Sequence, residues 1–70
     1  MLTNKDIYYI HLTIQLAKEA QKAGNLPIGA LIILDDEIIA EGKNSIWTPK
    51  YRPNRHAEIE ALESVPAKYW

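Results

Sequence analysis

Apolar residues recur at helical spacing through Ile7, Ile10, Ile14 and Ala17, widened by Leu16, Ala20 and Ala23, while Lys5, Lys18, Glu19 and Lys22 lie off that stripe. A helix is expected there. Thr3 and Asp6 form a capping box with Asp as its acid, and Leu2 with Ile7 can staple across the same turn. Gly24 supplies a left-handed C-cap and Pro27 blocks continuation, which bounds the helix at about residues 4–23. The period then changes. Residues 27–34, Pro-Ile-Gly-Ala-Leu-Ile-Ile-Leu, are a continuous apolar run too short for a second helix and read as a strand buried on both faces. Asp35-Asp36 is the turn, and Glu37 to Gly42 returns as the second strand of a hairpin. Gly29 weakens its strand unless something approaches closely there, either a substrate or the backbone of a packed helix.

Lys43 to Arg55 form a loop long enough to be functional or mobile in a compact domain. Asn44, at the strand end, carries a donor and an acceptor on one amide, which suits a base edge or a sugar hydroxyl; it also suits an ordinary turn. Trp47 and Tyr51 either stack on a flat heterocycle or form a small satellite core beneath the loop. Asn54 then reads as a helix cap, with His56 and Glu58 at H-x-E spacing in the first turn. Glu58, Ala61, Leu62 and Val65 share one helical face, whereas Glu60 and Glu63 fall away from it. A carboxyl packed among Ala and Leu loses hydration and suits proton transfer near neutral pH; the alternative is a solvated Glu at the edge of the stripe. Pro66 ends or kinks this helix, leaving Ala67 to Trp70 with little to pack against. His11, beside the first stripe, reads as a packed or half-exposed neighbour of the core.

Seventy residues make one small domain, residues 1–70, with marginal stability expected. A hydrophobic fraction of 47% is enough for a core, and the net charge of −1 gives no strong nucleic-acid or anionic-membrane signal. With no cysteine there is no disulfide and no thiolate metal ligand. No apolar run reaches membrane-spanning length and no signal-peptide core is present, so a cytoplasmic setting is the expectation.

Three stretches, taken in this order, resemble the zinc-dependent cytidine and deoxycytidylate deaminase superfamily, in its nucleoside, guanine and tRNA adenosine deaminase branch. They are Ala23-Gly-Asn-Leu-Pro-Ile-Gly-Ala30, Glu41-Gly-Lys-Asn44 and His56-Ala-Glu-Ile-Glu-Ala-Leu62. The resemblance covers nearly the whole chain and corresponds to the family's N-terminal half. It implies an α/β fold in which a helix, a β-hairpin and the H-A-E helix form a partial α-β-β-α unit with an incomplete sheet. It also implies that His56 is a zinc ligand, that Glu58 shuttles a proton without ligating the metal, and that Asn44 contacts a nucleobase or nucleoside substrate.

The remaining zinc ligands of the family are the cysteines of a P-C-x-x-C helix, which these 70 residues do not contain. Zinc belongs to the complete family; none is expected to bind stably to this chain alone. Pro53-Asn-Arg also differs from the D-P-T-A that precedes H-A-E in the tRNA-editing and guanine-deaminating branches. Two readings follow. One is the front portion of a hydrolytic nucleoside or nucleobase deaminase, inactive alone and completed by further polypeptide. The other is a non-enzymatic remnant that associates with itself or a partner as an oligomer.

Overall fold

The computed structural model describes residues 1–70 in the order α1 (Asn4–Lys22), β1 (Gly29–Leu34), β2 (Glu37–Lys43), α2 (Ala57–Glu63) and a closing 3₁₀ turn at Ala67–Tyr69. This is a partial α/β arrangement with an incomplete, two-stranded sheet. The start of α1 is fixed as its sequence demands. The Asp6 amide donates to the Thr3 hydroxyl and the Thr3 amide to the Asp6 carboxylate, each at 3.0 Å. At the other end Gly24 takes φ 96°, and the amides of Gly24 and Asn25 donate back to the carbonyls of Gln21 and Ala20 at 3.0 and 2.9 Å. That is a Schellman closure, and it directs the chain towards β1.

The inward face of α1 differs from the Ile7, Ile10, Ile14 stripe. Leu16 and Ala20 are buried and Tyr9, Leu12, Thr13 and Ala17 half-buried, whereas Ile7, Ile10 and Ile14 are 43, 45 and 47% exposed. Both sets satisfy helical spacing. Gly29 decides between them, because a Cβ there would lie 2.5 Å from the Thr13 carbonyl oxygen and 2.8 Å from the Leu16 Cβ. The glycine in the first strand therefore serves close helix packing.

β1 and β2 pair antiparallel with Gly29 opposite Lys43 and Ala30 opposite Gly42, and a bulge between Ile32 and Ile33 shifts the register. Asp35 and Asp36 at φ 50° and 65° make the mirror-image two-residue turn that suits a hairpin's twist. The Tyr9 hydroxyl donates to the Asp36 carbonyl at 2.7 Å and holds that turn to α1. Consecutive strand residues face opposite ways. A Cβ on Gly42, one step along from the Gly29 pair, would overlap the Ala57 carbonyl and the Ala61 backbone of α2. The two helices thus cover opposite faces of the hairpin.

The fully buried set is small: Leu16, Ala20, Ala40, Gly42, Asn44, Ile46, Ala57 and Ala61. β1 is not buried on both faces as its sequence suggests, since Ile33 and Leu34 are exposed and the rest of the strand is half-buried. One helix on each side cannot cover it, and each strand has an unpaired outer edge. No helix is long and apolar enough to cross a membrane.

Candidate functional site

Asn44 follows the last residue of β2 and is 1% exposed. Its amide N–H donates to the Ile28 carbonyl at 3.0 Å, and its side-chain oxygen accepts from the Ile46 amide at 3.2 Å. The side-chain nitrogen is buried with no protein partner. A buried donor left unpaired costs about 1–3 kcal/mol, while the bond to Ile46 is the turn that an Asn at a strand end makes.

His56 is the N-cap of α2. Its backbone is extended, at φ −70° and ψ 157°, its carbonyl accepts the first helical bond from Glu60, and its ring caps nothing. Asn54 therefore does not cap the helix, contrary to the pattern in the sequence. The Arg55 amide donates to the Arg52 carbonyl at 3.0 Å, which keeps the chain in a turn until His56. His56 thus stands outside the helical spiral on which Glu58 lies.

Glu58 is exposed, and Ala57 and Ala61 are the residues that α2 buries. The apolar-stripe reading of Glu58 is corrected accordingly: the carboxylate turned inward is Glu60, half-buried. Glu60 accepts from the Ser45 hydroxyl and from the Arg55 guanidinium, which also reaches Glu63. Arg52 stands 4.0 Å from Glu60 and donates to the Ser45 hydroxyl at 3.2 Å. Arg55 above all, then Ser45, holds the Glu60 carboxyl below the ordinary glutamate range, against the opposing effect of partial burial. The Ser45 amide donates to the Arg55 carbonyl at 3.0 Å, so the residue after Asn44 is bonded to the residue before His56.

This network is not visible as a helical spacing, because Arg55 precedes the helix and Ser45 follows a strand. A signal is present all the same. A cation at a helix N-terminus opposes the macrodipole, and an Arg immediately before the cap calls for a carboxylate partner in the first turns. A second anchor, Asn25, was equally hidden. Its side-chain oxygen accepts from the amides of Trp47 and Thr48 at 2.8 and 3.0 Å, and its nitrogen donates to the Thr48 hydroxyl at 2.7 Å. Trp47 and Tyr51 stack on each other and are exposed, which rules out a satellite core. An open cavity of about 280 Å³ adjoins the Ser45–Glu60 pair, between α1 and α2 beside β2, lined also by Glu19, Glu41 and Lys43.

Residues 3–68 match the family model of the cytidine and deoxycytidylate deaminase zinc-binding region. The chain belongs to this family. It is 36% identical over 65 residues to the tRNA-specific adenosine deaminase of Buchnera aphidicola subsp. Schizaphis graminum, covering 93% of this chain and 42% of that protein. It is 32% identical over 57 residues to tRNA-specific adenosine deaminase 2 of Xenopus tropicalis, covering 81% of this chain and 33% of that protein. To the guanine deaminase of Bacillus subtilis it is 38% identical over 58 residues, covering 81% of this chain and 36% of that protein. The chain spans about a third to two fifths of the length of these curated relatives.

The family's zinc implies a donor set of three or four protein ligands. These residues do not fit the ion unaided. No three His, Cys, Asp or Glu side chains gather closely enough to hold a metal, and His11, the second imidazole, is exposed on α1 away from any such group.

Proposed function

We propose that residues 1–70 form a single incomplete deaminase-like domain, the N-terminal portion of a hydrolytic deaminase acting on a nucleobase or nucleoside. Asn44 contributes the substrate contact, His56 one metal ligand and Glu58 the proton shuttle. The observation that carries this reading is the bond between the Ser45 amide and the Arg55 carbonyl, which joins the strand-end and H-A-E motifs at one end of the hairpin. The Asn44 side-chain nitrogen supports it as a buried donor to which the chain itself supplies no acceptor. So does exposure of His56 and Glu58, which leaves the imidazole open to a metal and the carboxylate open to a substrate.

By the same reading the lone chain holds no zinc stably and turns over no substrate, since one imidazole is too few ligands. Supplying a strand and a P-C-x-x-C helix, by fusion or in trans, tests this. The completed protein should retain zinc after mild chelation and release ammonia from a nucleobase or nucleoside, and the lone chain should do neither. One tightly held zinc in the lone chain, or a completed protein that binds zinc and deaminates nothing, contradicts the reading.

A second reading, a self-associating module without activity, is favoured by one observation. Ile7, Ile10 and Ile14 form a partly exposed apolar row on α1.

A further inference from the structure

Glu60 is bonded to both sides of the junction between Asn44 and His56. Its amide donates to the His56 carbonyl at 3.1 Å. Its Oε1 accepts from the Ser45 hydroxyl and its Oε2 from the Arg55 guanidinium, so the residue after Asn44 and the residue before His56 end on opposite oxygens of one carboxylate. Arg52 joins the same group by donating to the Ser45 hydroxyl at 3.2 Å. The main chain is clasped beside these side chains, the Ser45 amide to the Arg55 carbonyl at 3.0 Å and the Arg52 amide to the Ile46 carbonyl at 2.6 Å.

Docking α2 on the hairpin does not require this carboxylate. Ala57 and Ala61 are buried with their backbone against Gly42, where not even a Cβ would fit. A partly buried ion pair also gains little net stability once the desolvation of both charges is counted, and its better attested use is to fix a register. Here the fixed segments carry Asn44 and His56. The Asn44 side-chain oxygen accepts from the Ile46 amide across Ser45 at 3.2 Å, so the direction of the Asn44 amide, and of its unpartnered nitrogen, follows the backbone at Ser45.

We propose that Glu60 is a positioning residue, which through Ser45 sets the direction of the Asn44 side-chain amide and through Arg55 sets where His56 enters α2. The proposal rests on the deaminase reading for what Asn44 and His56 do, and on the network alone for how they are held. A network that only added stability would behave differently. Its loss would lower the folded fraction and leave Asn44 aimed as before.

The test has a spectroscopic and a kinetic arm. In residues 1–70, amide and aromatic NMR spectra follow the Asn44 side-chain amide and the His56 ring. Ser45→Ala should shift or broaden the Asn44 side-chain pair, and Glu60→Gln both that pair and the His56 ring, while the amides of Gly29 to Leu34 stay in place. Glu41→Gln is the control and should move neither, since Glu41 is an exposed carboxylate on the same cavity that forms no ion pair. In the chain completed with a strand and a P-C-x-x-C helix, Ser45→Ala should raise KM by roughly 2- to 12-fold with little change in kcat, the effect of misplacing one neutral hydrogen bond to substrate. Ser45→Thr, which keeps the hydroxyl, should restore the wild-type KM. Circular dichroism identifies a Glu60→Gln protein that fails to fold, in which case Ser45→Ala decides. The proposal is overturned if a folded Ser45→Ala leaves the Asn44 pair unmoved, or if the completed Ser45→Ala protein loses kcat at constant KM. A completed wild-type protein that deaminates nothing removes the deaminase reading instead, and the Asn44 and His56 resonances then decide the proposal alone.

Discussion

The Ser45 amide donates to the Arg55 carbonyl at 3.0 Å, and the side chains of the same two residues converge on the Glu60 carboxylate. One backbone bond and one ion-pair network therefore hold the end of β2 against the start of α2. Asn44 and His56 are the immediate neighbours of that junction, so its stability governs how the two are presented.

Glu60 should make the fold acid-sensitive. Its carboxyl is held below the ordinary value near 4.5, chiefly by Arg55, so the folded chain binds fewer protons there than the unfolded one. The stabilisation is complete above that ordinary value and is lost as pH falls through the lower folded value. Glu60→Gln should cost about 1–3 kcal/mol at neutral pH and reduce the slope of stability against pH in the acid range. Urea midpoints measured from neutral to acid pH check this, and a variant with unchanged midpoints and slope would show that the network contributes nothing.

Gly42 should tolerate no side chain. An added Cβ would collide with the backbone of α2 at Ala57 and Ala61, and backbone cannot rotate aside. Gly42→Ala is expected to cost about 1–3 kcal/mol or more and to displace α2. Thermal melts and the amide spectrum of Ala57 to Glu63 read both effects. Wild-type values for either would mean that the helix sits farther from the strand.

Loss of Asn25 should loosen the loop ahead of the rest of the molecule. Asn25→Ala leaves the Trp47 and Thr48 amides without their acceptor, a penalty of about 1–3 kcal/mol if they stay shielded from water. Hydrogen exchange at those two amides should accelerate while the β1–β2 amides keep their protection. Uniform acceleration would instead mean that Asn25 supports the whole fold.

The exposed row on α1 should drive association. Ile10→Lys places a charge at its centre without touching the inward face at Leu16 and Ala20. Sedimentation of the wild-type chain at micromolar concentration is expected to show oligomers, and of Ile10→Lys a monomer. A sharply melting wild-type monomer contradicts this.

The parts of the fold that depend on neighbours in sequence are legible in it. The caps Thr3, Asp6 and Gly24 and the turn Asp35-Asp36 act within a few residues, and their elements start and stop where those residues require. The inward face of α1 depends on β1. Two overlapping stripes fit one period, and only the contact of Gly29 with Thr13 and Leu16 selects between them. The same reason hides the Glu60 network and the Asn25 clamp, whose partners lie 5 to 23 residues away across a loop. It also explains Glu58: Ala61 belongs both to the stripe with Glu58, Leu62 and Val65 and to the face with Ala57, and only the contact of Ala57 and Ala61 with Gly42 selects the second. Order and spacing of the three motifs point to the family, and the junction of Ser45 with Arg55 brings the second and third of them together.

The most direct measurement is deamination by the chain completed with a strand and a P-C-x-x-C helix, comparing wild type with Glu58→Gln at equal zinc content. Glu58→Gln should keep the metal and lose turnover by about 10²–10⁴-fold, the usual contribution of a general acid–base group. A zinc-loaded Glu58→Gln protein with full activity would contradict the account and leave Glu58 as an exposed carboxylate on a short helix.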